Sequence, residues 1–238
     1  MLSAIAMGLV LAAGDGQETT EAQRKADGQK TVETRDLISK VAFDPALYFA
    51  NEPKGSEVVL ISYTGDDYGW PVYSIAVHYG CTAEGCNPQR RARMVRAPIT
   101  DPSDRPRRWG LTLVNKVTAK GASTPEAVAG ALDTLGLDWV EADLMTCPGA
   151  MTAMADLGKA EWIRDDVVKP DPNGSIEIVL HADRIRVEVP DYLRKATYDG
   201  FIAKGSPAAW ADALAKTLEP CWKPVSASPP WKAKFRAE

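Results

Sequence analysis

Histidine is scarce: His78 and His181 are the only two in 238 residues. Any Ser-His-Asp arrangement must therefore use one of them, and no G-x-S-x-G elbow is present to place a serine. Long hydrophobic runs are also missing. The first thirteen residues, MLSAIAMGLVLAA, hold the main apolar stretch, far short of the roughly 20 residues with which a helix spans a bilayer. A charge excess of one sign is lacking too, because the formal net charge is only -4 and names no partner. No alternation of basic and aromatic residues marks an RNA-binding sheet, which with the acidic balance argues against nucleic acid. Nothing in the sequence calls for a metal or a cofactor.

What is present has ordinary globular proportions, 45% apolar and 25% charged, in a length that suits one well-buried core. The uncharged start ends in small residues and gives way to a polar stretch, GDGQETTEAQRKADGQK. Residues 1–13 are accordingly expected to be a signal peptide, and the protein periplasmic or secreted, without a transmembrane segment. No Lys or Arg precedes the apolar run, which departs from the usual pattern, and no cysteine follows it to carry a lipid. Residues 14–42 are expected to be a polar leader with at most a short helix, 43–222 a single α+β domain, and 223–238 a proline-rich basic tail.

Four cysteines, an even number in a chain that reads as exported, are expected as two disulfides. Cys81 and Cys86 lie close enough to close a small loop, which leaves Cys147 with Cys221. Strands are expected at 58–63, 72–79 and 91–95, and a further one at WGLTLVNKV, 109–117. The run 176–189 reads as a hairpin turning at Ala182 and Asp183, with Leu180 opposite Ile185 and Glu177 opposite Glu188. Helices are signalled at Thr124-Pro125 and again at Ser206-Pro207 by the same cap-and-proline device, and a third from Pro148. The fold class expected is α+β: an antiparallel sheet of hairpins with about three helices packed on one face, held by two disulfides.

The stretch HYGCTAEGCNPQRRARMVR, 78–96, concentrates chemistry-bearing residues. His78, Cys81 and Cys86 supply three metal-ligand types, but structural zinc sites want four, and strand parity sets His78 opposite Cys81. Thiol-disulfide catalysts place two residues between their cysteines; the four here suit a static clip. Cys147 at a helix start is placed for a lowered thiol pKa, yet the cysteine count assigns it to a disulfide. Seven arginines, Arg90, Arg91, Arg93, Arg96, Arg105, Arg107 and Arg108, stand against Asp101 and Asp104, a local charge of +5 that leaves the remainder about -9. Such asymmetry marks an anionic partner or pairing with acids of the same molecule, the second being the commoner case. Tyr68 and Trp70, in the turn YTGDDYGWPVY, form either a contact platform or rings folded over their own hairpin.

The function expected is a non-catalytic binding module of the cell envelope, acting through an arginine-rich surface and the loop around Trp70. Its partner is unknown, with an anionic envelope component or an acidic protein the chemistry that fits. The alternative is an envelope hydrolase using His181 or the Glu177 and Glu188 pair, whose carboxylates would need a cleft around them.

Overall fold

The computed structural model describes residues 20–52, 54–66, 68–81, 85–162, 182–190 and 195–232. The expected signal peptide at 1–13, His181, Glu177 and the last six residues lie outside them.

Seven antiparallel strands form one sheet: β1 (Lys54–Gly65), β2 (Trp70–Cys81), β3 (Gln89–Arg96), β4 (Asp138–Asp143), β5 (Arg184–Val189), β6 (Ala196–Phe201) and β7 (Lys223–Pro224). Their spatial order is β6-β5-β1-β2-β3-β4-β7. The described helices are α1 (Glu21–Ala42), α2 (Pro106–Ala119), α3 (Pro125–Asp133), α4 (Ala150–Asp156) and α5 (Pro207–Leu218). The α+β class, the antiparallel sheet and both disulfides are as expected. Helices α1, α2 and α3 pack together on one face, while α4 and α5 cover the other.

Strand alternation explains two cores rather than one. On one face Ile61, Ile75, Val77, Met94 and Val187 meet Trp210, Leu214 and Leu218 of α5. On the other, Ala76 and Val95 meet Leu113 and Val117 of α2, Ile38 and Val41 of α1, and Leu132 of α3. The caps read from the sequence are in place: the Thr124 side chain accepts from the Ala127 N–H, and that of Ser206 from the Ala209 N–H. Cys81 is bonded to Cys86 and Cys147 to Cys221, with Cα separations of 5.6 and 5.8 Å.

Four elements differ from expectation, each for a physical reason. Residues 109–117 lie in helix α2, not a strand. Pro106 opens its first turn, and Gly110, Leu113, Val114 and Val117 make a buried stripe at helical spacing. Gly110 permits the contact with the sheet, since a Cβ there would sit 2.6 Å from the Pro71 carbonyl oxygen.

The segment expected to hold at most a short helix forms α1, 22 residues capped by the Thr20 side chain. Its composition hides this because only its last turns reach the core, through Thr34, Ile38, Val41 and Ala42.

The expected 176–189 hairpin is not the pairing of β5. Both of its edges are taken, by β1 (Ile61 opposite Val187) and by β6 (Tyr198 opposite Val187), so Glu188 faces Leu60 and Thr197 rather than Glu177.

The segment after α5, expected as a tail, pairs with the sheet edge and then packs on α1 and α3, as far as residue 232. Lys223 and Pro224 pair with β4, Trp139 Nε1 donates to the Ala227 carbonyl at 2.9 Å, and buried Trp231 donates to Asp133 at 2.8 Å.

Candidate functional site

The seven arginines that are contiguous in sequence are dispersed in space. Along β3 the side chains alternate, so Arg91 and Arg93 are buried beneath the segment that follows α1 while Arg90 and Arg96 take the opposite face. Arg91 and Arg93 have side chains only 4% and 8% exposed. Arg93 reaches Glu52 at 2.6 Å, Glu141 at 2.7 Å and the Tyr48 carbonyl at 2.7 Å. Arg91 pairs with Glu52 at 3.2 Å and Glu141 at 3.1 Å. Phe49 slots beside both guanidinium groups, at 5.3 Å from Arg91 and 4.4 Å from Arg93. Burial alone would raise the Glu52 pKa, but hydrogen bonds and charge from Arg91 and Arg93 outweigh it and hold this carboxyl below its usual range.

His78 belongs to the same cluster. Its ring is buried and stacked on Phe49 at 4.5 Å, and Gly55 lies so close that a Cβ there would fall 2.0 Å from His78 Cε1. Burial pushes its pKa down, Glu57 pulls it up, and Arg91 and Arg93 push it further down against Glu52. His78 is therefore a neutral core histidine whose Nδ1 has no hydrogen-bond partner. Among the described residues, no three or more His, Cys, Asp or Glu side chains are grouped to hold a metal ion.

Arg96 is engaged too, by Asp138 at 2.9 Å and Glu219 at 2.8 Å. Arg90 sits at the far end of β3 beside Tyr79 and Met151. Neither joins Arg105, Arg107 and Arg108, which surround the first turn of α2.

That turn meets the loop joining β1 to β2. Gly65 packs against the backbone of Arg107, where a Cβ would come within 2.4 Å of its Cα, and Gly110 packs against Pro71. Arg107 pairs with Asp66 at 3.7 Å. Asp183, next to β5, accepts from the Tyr63 hydroxyl at 2.7 Å and the Asp66 N–H at 3.4 Å, and Arg35 of α1 donates to the Tyr68 carbonyl. The loop so held presents Tyr68, 56% exposed, stacked on half-buried Trp70 at 5.9 Å. The structure thus sets the loop of Tyr68 and Trp70 against the first turn of α2, which carries Arg105, Arg107 and Arg108, away from buried Arg91 and Arg93 and from Arg90 at the far end of β3, while Arg96 turns to Asp138 and Glu219.

The charge of this surface is nearly balanced by its own acids. Arg35 pairs with Asp36, Arg107 with Asp66, and Arg108 with Asp104 at 3.7 Å. Arg108 is 69% exposed, and Arg105 is exposed as well. The exposed Arg108–Asp104 pair contributes about 0–1 kcal/mol, so a partner's carboxylate can replace Asp104 at small cost. Placing Arg105, Arg107 and Arg108 at the positive end of the helix dipole, with no acid in the first turn, does not favour α2 itself.

Glu188 is buried in an ion-paired group with Arg186 and Lys195. Burial would raise its pKa, but hydrogen bonds from Lys195 and Arg186 keep the carboxyl ionised below its usual range. The chain matches no protein-family model, no curated protein and no solved structure.

Proposed function

We propose that this protein is an exported, disulfide-stapled binding module without catalysis of its own. Its contact surface is the end of the sheet where the Tyr68–Trp70 stack adjoins Arg105, Arg107 and Arg108, and its partner is an acidic protein face. The observation that carries this reading is the packing of α2 on the ends of β1 and β2, Gly65 against the backbone of Arg107 and Gly110 against Pro71, which sets the arginine-bearing first turn of α2 next to the loop that carries the Tyr68–Trp70 stack. Tyr, Trp and Arg are the residue types that dominate protein interfaces, and a rigid loop loses little entropy on binding. Export is supported by the two disulfides, which persist in oxidising compartments. No described helix is long and apolar enough to cross a membrane.

The test is retention of envelope proteins on the immobilised, oxidised protein and on the triple variant Tyr68→Ser, Arg105→Gln, Arg108→Gln. All three positions are exposed, so the variant keeps its fold. A protein retained by the wild type, released by salt and lost with the variant supports the proposal. Identical retention by both proteins, or retention of lipid alone, contradicts it.

A further inference from the structure

The helix layer of α1, α2 and α3 rests mainly on β2, with α2 reaching β1, and stops short of β5. Beyond its edge the chain leaving α1 turns as Pro45–Leu47 over β1, and a cleft of about 370 Å³ opens between this turn and the strands. Ligand pockets start at roughly this size, about 300 Å³. The cleft wall is fixed before any ligand arrives. The Ser74 hydroxyl, buried, donates to the Phe43 carbonyl at 2.7 Å, and the Tyr48 hydroxyl donates to the Ala42 carbonyl at 3.0 Å.

The strand wall is cationic. In the sheet register Leu60 lies opposite Glu188 and Ser62 opposite Arg186, so these four side chains share one face. Glu188 accepts from Arg186 Nε at 2.6 Å and pairs with Lys195. Two cations thus share one buried carboxylate, and the excess is one positive charge. Arg186 and Lys195 are about half exposed and retain N–H donors that Glu188 does not use.

The opposite wall is anionic. Asp44 lines the cleft, with Oδ1 accepting the Ala46 N–H at 3.0 Å and its second oxygen left over from that cap. Between the charged walls lie Phe43, Pro45 and Leu60. Opposite charges on facing walls with apolar surface between them are the complement of a small zwitterion.

We propose that this cleft binds an amino acid or very short peptide with an apolar side chain, its carboxylate on Arg186 and Lys195 and its ammonium on Asp44. Ser62, across from Arg186, adds a hydroxyl to the carboxylate end. This site is separate from the Tyr68–Trp70 surface and stands whether or not that surface binds a protein.

The experiment titrates the full, oxidised chain with L-leucine, L-phenylalanine and leucyl-leucine, read by calorimetry and amide chemical shifts. N-acetyl-L-leucine, which lacks the ammonium, and L-leucinamide, which lacks the carboxylate, are the comparison ligands. At least one zwitterion is expected to saturate the protein, with shifts at residues 60–62 and 186–188. Each blocked form is expected to bind about 10- to 100-fold more weakly, the cost of one charged hydrogen-bonding partner.

Arg186→Gln with Lys195→Gln is expected to erase the preference for leucine over leucinamide. Asp44→Asn, which keeps a good cap for Ala46, is expected to erase the preference over N-acetyl-leucine. Failure of all three zwitterions to bind, or equal binding of N-acetyl-leucine by the wild type, overturns the proposal.

Discussion

Arg93 lies over the face of Phe49, its Cζ 4.4 Å from the ring centroid, while its three hydrogen-bonding nitrogens reach Glu52, Glu141 and the Tyr48 carbonyl. A guanidinium so held is a structural cross-brace between β3, β4 and the turn after α1, and it is unavailable to a partner. Glu52→Gln leaves Arg91 and Arg93 buried with one counter-charge fewer. The expected loss is about 3 kcal/mol, the lower end for breaking a buried pair from one side. Urea unfolding measures it; a loss below about 1 kcal/mol would show that Glu141 alone suffices.

Stability should depend on pH in two separate windows. The folded pKa of His78 lies below the ordinary 6.5, with Glu57, Glu52, Arg91 and Arg93 as the charges around it. As pH falls through 6.5 the unfolded chain takes up a proton that the folded protein refuses, so stability drops until the lower folded pKa is reached. Glu52 and Glu188 act further down. Their folded pKa values lie below 4.5, so their contributions are complete above that value and fade as pH falls through the folded ones. Urea midpoints should therefore decline in two steps, and His78→Gln should remove only the upper one. An unchanged upper step in the variant would assign it to another group.

Two glycine-to-alanine substitutions in helices should have opposite signs. At Gly110 a Cβ meets the Pro71 carbonyl at 2.6 Å, so α2 must move off β2, at a cost of about 1–3 kcal/mol. At Gly130 in α3 nothing lies within 4 Å, and alanine should stabilise by about 0.5–1 kcal/mol through helix propensity. Thermal melts of the two variants check both signs.

The disulfides should also contribute unequally. Cys147 and Cys221 are 74 positions apart and Cys81 and Cys86 only 5. Chain entropy assigns about 4.5 kcal/mol to the long loop and about 2 to the short one. Replacing each pair by alanine and comparing denaturation midpoints tests the order. A larger loss from the short pair would contradict it.

Local signals carried much of the architecture. Thr124-Pro125 and Ser206-Pro207 announce α3 and α5 because a cap and an N1 proline act within one turn. The cysteine pairing was legible from spacing. Helix α2 was not, since its β-branched and aromatic residues imitate a strand and its placement depends on Gly110 meeting Pro71.

The arginines show the same boundary. Period-two sorting of Arg90, Arg91, Arg93 and Arg96 is present in the sequence and could have separated the inward pair from the other two. Their counter-charges could not be read, because Glu52, Glu141, Asp138 and Glu219 lie between 39 and 123 positions away. Likewise the meeting of Tyr68 and Trp70 with Arg105, Arg107 and Arg108 is a product of tertiary packing through Gly65.

The most direct measurement of the central claim is site-specific photocrosslinking in envelope extract, with a benzoylphenylalanine in place of Tyr68 and, separately, of the exposed Ile202. A discrete protein adduct is expected from position 68, suppressed both by high salt and by Arg105→Gln with Arg108→Gln, and none from position 202. Adducts of equal yield from both positions, or from position 202 alone, would contradict it.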